Sequence, residues 1–496
     1  MRASPALPDQ LYRAAQVREL DRVAIEDCAI PGHELMERAG AAAFDLLRTS
    51  WPAAKKIVVL CGAGNNGGDG YVVARLAHEA GLAVRVLHLV SPDRLQGTAR
   101  RAAEAFLGTG LHPEAFAGNG LAGADVLVDA LLGTGLDREV GGEWRAAIEA
   151  VNACKAPVLA IDIPSGLQAD TGQPLGIAVR AAVTVTFIGL KQGLFTGQGR
   201  EYAGRILFYD LGVPPAVYAG VSPAATLLEL SRLRSLLSPR SRAAHKGHFG
   251  HVLVIGGNLG FAGAARMAAE AAARTGAGLV SLATRPEHAA VISQMRPEIM
   301  AHGVQTALEL QPLLERATVI AIGPGLGQSD WALPLFGRAQ DTAKPMVMDA
   351  DALNLLAQEP AVNPCWVLTP HPGEAARLLG CDTAEIQADR FAAAGQLQRR
   401  YGGVIVLKGS GTLIADLDGA ISVCAGGNPG MASGGMGDVL TGFIAGFLAQ
   451  GYAPGDAARL GVCLHAAAAD EAARAGERGL LASDLMPLVR GLINPA

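Results

Sequence analysis

Along this chain, short runs of aliphatic and β-branched residues alternate with helical patterns. KIVVLCG (56–62), AVRVLHLV (83–90), DVLVDALLG (125–133), PVLAIDIPSG (157–166) and AAVTVTFIG (181–189) predict strands in the first half. They are apolar along most of their length, as strands are when helices cover a parallel sheet on both faces. The patterning predicts amphipathic helices over 13–27 and 33–48, and another near 70–80 that Gly81 closes. From 212 to 248 the alternation breaks: GVPPAVYAGVSP reads as a turn-rich linker, and SPRSRAAHKGHFG is basic and irregular. It restarts with HVLVIGG (251–257), a helix near 263–275 and LVSLAT (279–284). TVIAIGPGLG, PMVMDADAL, WVLTPHPGE and VIVLKGSGTLIAD follow, and two helices close the chain. The expected fold class is α/β, with a doubly wound, Rossmann-like parallel sheet in 1–222 and a second α/β domain in 223–496.

Composition narrows this picture. A chain of 496 residues exceeds what one core organises, and 50% apolar with 18% charged residues suits a packed enzyme. The formal net charge of −5, without a block of Lys or Arg, argues against nucleic acid as a partner. Seven scattered cysteines without a CxxC pair argue against a disulfide framework or zinc site and suit reduced thiols. MRASPALPDQ has no apolar signal-peptide core, and the most apolar helix, 439–450, falls short of the ~20 residues of a membrane span. A cytoplasmic protein with no membrane partner is expected.

The densest chemistry is NPGMASGGMGDVLTGFIAGFLAQG (428–451). If a helix begins near Met436, its first N–H groups carry partial positive charge, and Gly434, Gly435 and Gly437 admit an anion to them. Asp438 then falls in the first turn, where the helix dipole favours its ionised form and where it can accept a proton from a substrate hydroxyl during phosphoryl transfer. A glycine turn with a capping Asp fits this stretch equally well. LKGSGT (407–412) adds a strand-end lysine and a flexible loop, while GPGLG (323–327) and TPHPGE (369–374) also follow apolar strands. His371 reads either as a site residue or as a loop brace, and Glu374 either as a site acid or as a helix cap.

Taken together these stretches resemble the ribokinase-like superfamily. With HKGHFGHVLVIGG and GAARMAAEAAARTGAGLV they resemble more closely the ADP-dependent NAD(P)H-hydrate dehydratase family, over nearly all of 225–496. Met436 stands where ribokinase relatives at large have a small residue. The resemblance implies that ADP phosphorylates the 6-hydroxyl of the hydrated ring and that phosphate then leaves, giving NAD(P)H, AMP and phosphate. It implies nucleotide contacts at Lys408, Gly409, Ser410, Gly411, Thr412 and Gly437, with Mg²⁺ accompanying ADP. It implies hydrate contacts at Ala264, Gly325, His371 and Asp438, the last being the catalytic base.

In the first half, GAGNNGGDG (62–70) follows a strand and precedes a helix, but two Asn replace the middle of a dinucleotide-type glycine pattern. Its amides and Asp69 suit a hard cation or a polar ring; a tight turn is the plainer alternative. DALLGTGLDREV (129–140), DIPSG (162–166) and GLKQG (189–193) fall at strand ends on the same edge. Alone, Asp162 would be a loop cap and Lys191 a solvated charge. This set resembles the NAD(P)H-hydrate epimerase family over about 10–218. The resemblance implies that Asn65, Asn66, Gly67, Gly68, Asp69, the loop Gly133, Thr134, Gly135, Leu136, Asp137, Arg138 and Glu139, and Asp162 bind the hydrate. It implies a K⁺ site at Asn66, Asp129 and Ser165. Asp162 and Lys191 are the candidates for moving protons as the C6 hydroxyl leaves and returns on the other face. The whole chain thus resembles the bifunctional NAD(P)H-hydrate repair enzymes, with NAD(P)H-hydrate and ADP as small-molecule partners and a homo-oligomer expected. The rival expectations are a hydroxymethylpyrimidine- or sugar-type kinase with a non-catalytic nucleotide-binding N-terminal domain, and a nucleotide-binding scaffold without catalysis.

Overall fold

Lys56–Cys61 and Val126–Ala130, buried almost end to end, are neighbours at the middle of the first sheet. The order across it is Glu114–Ala115, Ala83–His88, Lys56–Cys61, Val126–Ala130, Val158–Ile161, Val183–Phe187 and Arg205–Tyr209, and every pairing is parallel. The strand order reverses at the two central strands, which opens a crevice at their carboxyl ends. A computed structural model describes residues 7–494, and the chain divides into two compact units at Thr226 and Leu227.

Local chemistry shortens several of the predicted elements. The strand expected over 157–166 ends at Ile161, because Asp162 takes φ +68° and turns the chain out of the sheet. The one expected over 125–133 ends at Ala130. The helix expected near 70–80 instead spans Asn65–Glu79 and absorbs most of the glycine stretch. Gly67 permits this, since a Cβ there would lie 2.3 Å from the Gly62 carbonyl oxygen; Gly81 follows the helix at φ +79°. The first predicted helix is α-helical over Ala14–Arg22 and widens into a π turn at Val23–Asp27, while the second spans Gly32–Ser50.

The second unit orders its strands as Met300–Gly303, Leu279–Thr284, His251–Ile255, Val319–Ile322, Met346–Met348, Trp366–Leu368, Val404–Leu407, Thr412–Ala415 and Ile421–Cys424. The first seven are parallel and the last two turn antiparallel. Helix Met436–Ala449 is buried on nearly every face and lies against Ala262–Thr275. Among the described residues no helix is long and apolar enough to cross a membrane.

That helix contact depends on missing side chains. A Cβ on Gly442 would meet the Ala268 carbonyl oxygen at 2.2 Å, and the facing helix presents alanines. Gly442→Val is expected to destabilise the chain by about 3 kcal/mol through overpacking, read from urea unfolding followed by circular dichroism. An unchanged midpoint would mean that the helices do not meet at this glycine.

Candidate active sites

The crevice of the first unit is a cavity of about 790 Å³. Its walls bring together Asn65, Asn66, Asp69, the loop 133–139, Asp162 and Lys191, which lie far apart in sequence. Gly67 and Gly68 are buried beneath it in the first helical turn. Five non-glycine residues have positive φ among the described residues, and three of them, Asp162, Ile188 and Leu211, line this cavity. Strained backbone gathered at one place marks a functional site.

Lys191 is not a solvated charge. Its side chain is 0% exposed and its ammonium pairs with Asp162. It also donates to Thr186 Oγ1 at 3.0 Å and to the Phe187 carbonyl at 3.2 Å. Asp162 keeps one edge on the cavity, at 19% exposure. Burial first, then the charges of Asp162 and Asp21, hold the Asp69 carboxyl well above the usual carboxylate range.

Beside the cavity, Asn66, Asp129 and Ser165 converge as a cluster. Asp129 accepts from Ser165 Oγ at 2.6 Å and from the Ser165 N–H at 2.8 Å. Asn66 Nδ2 donates to the Leu132 carbonyl at 3.0 Å, and the Leu132 N–H donates to Ser165 Oγ at 2.8 Å. Asn66 Oδ1 is buried with no hydrogen-bond partner. Burial pushes the Asp129 carboxyl up to about 6, against the hydrogen bonds from Ser165. An orphaned carbonyl oxygen beside an unneutralised buried carboxyl is an environment that a large, oxygen-preferring cation would satisfy.

In the second unit, Gly435 at φ +90° caps helix Met436–Ala449, so Gly437 and Asp438 stand in its first turn. Beneath that turn Lys408 Nζ meets Asp349 at 2.5 Å and Glu374 at 3.7 Å. Asp349 also accepts from Thr441 Oγ1 at 3.0 Å. Burial opposes the ionised form of Asp349, but Lys408 outweighs it and keeps the carboxyl low. Asp438 behaves differently from the expectation that the helix start favours its ionised form. Burial and then the Asp349 charge, partly offset by Lys408, raise it to about 7. A carboxyl poised there is suited to general-base work at neutral pH.

Ala264 and Gly325 come together: a Cβ on Gly325 would lie 3.3 Å from that of Ala264. His371 caps helix Pro372–Leu379, its Nδ1 accepting from the Gly373 N–H at 3.0 Å, while Glu374 accepts from the His371 N–H at 2.8 Å. Burial and Lys408 lower its pKa; an Nδ1 acting as acceptor leaves the proton on Nε2. The brace and the cap proposed for these two residues are thus both present, and the imidazole stays half-exposed.

Sequence reasoning missed three residues. Asp349, inside the quoted PMVMDADAL, anchors Lys408; only its place at a strand end could have flagged it. Arg390 is buried beneath the LKGSGT loop and donates to the carbonyls of Leu407, Lys408 and Gly411 at 3.1, 3.2 and 3.4 Å. Its signal in the sequence is nil, since it lies on a helix 18 residues before the lysine. Asp21 lines the cavity from helix Ala14–Arg22. Among the described residues no three His, Cys, Asp or Glu side chains cluster as a metal cage.

Comparison with known proteins finds a different family in each of the two units. Residues 32–193 match the family described as YjeF-related protein N-terminus, and residues 252–489 match the NAD(P)H-hydrate dehydratase family. The bifunctional NAD(P)H-hydrate repair enzyme Nnr of Coxiella burnetii is 52% identical, covering 98% of this chain and 99% of its own. That of Escherichia coli is 46% identical, over 100% and 96%. A crystal structure of a ribokinase-like superfamily protein from Enterococcus faecalis superposes with TM-score 0.51 at 32% identity, covering 54% of this chain and 94% of that one.

Removing one partner of a buried ion pair leaves the other uncompensated, at a cost of ~3–5 kcal/mol. Lys191→Ala is therefore expected to destabilise the chain by about that amount in chemical denaturation, and Lys191→Met with Asp162→Asn by much less than the sum of the single changes. Additive losses would show that the pair is not coupled.

Proposed function

The chain belongs to the bifunctional NAD(P)H-hydrate repair enzymes, an epimerase and an ADP-dependent dehydratase on one polypeptide, and from that premise we propose how its residues divide the work. We assign the epimerase to 1–222 and the dehydratase to 223–496. The kinase alternative is disfavoured by relatives that match both halves over their full length.

In the dehydratase, Asp438 takes the proton of the 6-hydroxyl as that oxygen attacks the terminal phosphorus of ADP. The bond to AMP breaks, and loss of phosphate with a ring proton restores the double bond. The observation that carries this assignment is a carboxyl at about 7 in the first turn of a helix, above the Lys408–Asp349 pair. Gly437 and the helix N-terminus would face the transferred phosphate. The loop Gly409, Ser410, Gly411 and Thr412, braced by Arg390 and adjoining Lys408, would hold the nucleotide. Ala264, Gly325 and His371 would contact the hydrate. Mg²⁺ would arrive on the diphosphate, a small ion that keeps water and phosphate oxygens.

In the epimerase, Asn65, Asn66, Gly67, Gly68, Asp69 and the loop 133–139 would bind the hydrate. Asp162 exchanges the proton, with Lys191 paired to it from behind. Asn66, Asp129 and Ser165 would hold K⁺, supported by the orphaned Asn66 oxygen. The ion supplies positive charge that settles Asp129 and the adjoining turn.

Asp438→Asn is expected to lower ADP-dependent NADH recovery by ~10²–10⁴-fold while epimerisation continues. Because the ionised form is the base, wild-type kcat/KM should fall as pH drops through about 7. A rate that stays flat down to pH 5.5, or a fully active variant, would remove Asp438 from this role. Asp129→Ala should slow epimerisation and abolish its dependence on potassium. In a mixture of both epimers the variant should consume the S form and stall on the R form; prompt conversion of both would make Asp129 structural only.

A further inference from the structure

Lys191 cannot hand a proton to a substrate directly. Its three N–H bonds are matched by Asp162, Thr186 Oγ1 and the Phe187 carbonyl, and it is wholly buried. That leaves Asp162 as the member of the pair that faces the cavity. Yet inversion at C6 needs proton exchange on both faces of a planar ring. The hydroxyl must gain a proton to leave from one side, and the incoming water must lose one on the other.

We propose that Asp21 is a catalytic acid–base residue of this cavity, exchanging a proton with the oxygen that leaves or joins C6 on the ring face that Asp162 does not serve. The proposal rests on the assignment of this cavity to the epimerase. Asp21 lines it together with Asp69, Asp162 and Lys191. Among the described residues no side chain or backbone N–H donates to its carboxyl, whereas Asp129 in the same unit is engaged by Ser165. It sits two residues before the helix widens into the π turn Val23–Asp27, a distortion that occurs frequently at functional sites. The charged and titratable groups around it are Asp162, Lys191 and Asp69, with Arg18 on the cavity wall and Tyr218, which feels the Asp21 charge. Burial raises Asp21 to about 6, with Lys191 opposing and Asp162 adding. Asp69 is raised as well, by burial first and then by the charges of Asp162 and Asp21.

The step balances without any other reagent. A carboxylic acid gives its proton to the C6 hydroxyl, the C6–O bond breaks with its electron pair on oxygen, and water departs. The ring then carries positive charge over N1 and C6, which surrounding carboxylates stabilise. Water forms a new C6–O bond on the other face, and its surplus proton passes to a carboxylate there. In one direction Asp21 is the acceptor; in the reverse direction it is the donor, so one residue serves both epimers.

The test follows conversion of R-hydrate to S-hydrate by chromatography in the full chain without ADP, subtracting the enzyme-free rate at each pH. Asp21→Asn is expected to lower kcat by ~10²-fold with KM little changed, and to remove the limb of the rate–pH profile near pH 6. Asp21→Glu should recover part of the rate, and ADP-dependent conversion of S-hydrate should be unaffected in both. Wild-type epimerisation by Asp21→Asn would overturn the proposal. So would a slowed Asp21→Asn that keeps the limb near pH 6, or a loss expressed only in KM. Asp162→Asn run alongside separates the two failures. If it alone is slow, Asp21 is no catalyst; if it too is at wild-type rate, the cavity is not the epimerase site.

Discussion

An ammonium withdrawn from solvent needs a carboxylate beside it, and each half of this chain meets that demand at the carboxyl ends of its parallel strands. Lys191 is held by Asp162, Thr186 and a carbonyl. Lys408 is held by Asp349, with Glu374 and the first turn of a helix alongside. Strand ends can supply such groups because the backbone leaves the sheet there and the side chains of several strands point into one crevice. Each pair fixes a charge in a low-dielectric place, and the reactive carboxyls are arranged around it.

The surrounding acids feel that fixed charge unequally. Asp349 touches Lys408 and stays ionised, whereas Asp438, one step further away and beside Asp349, is lifted to about 7. In the first unit Asp162 takes the lysine, and Asp69 and Asp21 are raised by burial and by the neighbouring acids. The same logic thus places in each site one carboxylate paired to the lysine and at least one other carboxyl raised by burial. This division suits a phosphoryl transfer that needs a base and an epimerisation that needs both an acid and a base.

The scaffold keeps these groups in place by close approach rather than by bulk. Gly67 lets the first turn of helix Asn65–Glu79 rest on Gly62, and Gly442 lets helix Met436–Ala449 lie on an alanine-rich neighbour. Many of the glycines that look in the sequence like anion loops are therefore packing devices as well. The strained backbone at Asp162 aims its carboxyl at the cavity and ends the strand at the same residue.

The sequence by itself determined the two α/β units, most of their strands and the chemical stretches at strand ends, because apolar periodicity and glycine–acid clusters are local signals. It drew attention to Asp438, Asp162 and Lys191 for the same reason, each lying in a short stretch at a predicted strand or helix end, whereas the Asn66–Asp129–Ser165 group came from the family resemblance. Only the tertiary structure decided what those residues experience. That Lys191 is buried, that Asp349 rather than the glycine loop takes up Lys408, that Arg390 braces that loop from a separate helix and that Asp21 joins the cavity all depend on contacts between segments distant in sequence. Proton affinities follow burial and neighbouring charge, which exist only once those segments have packed together.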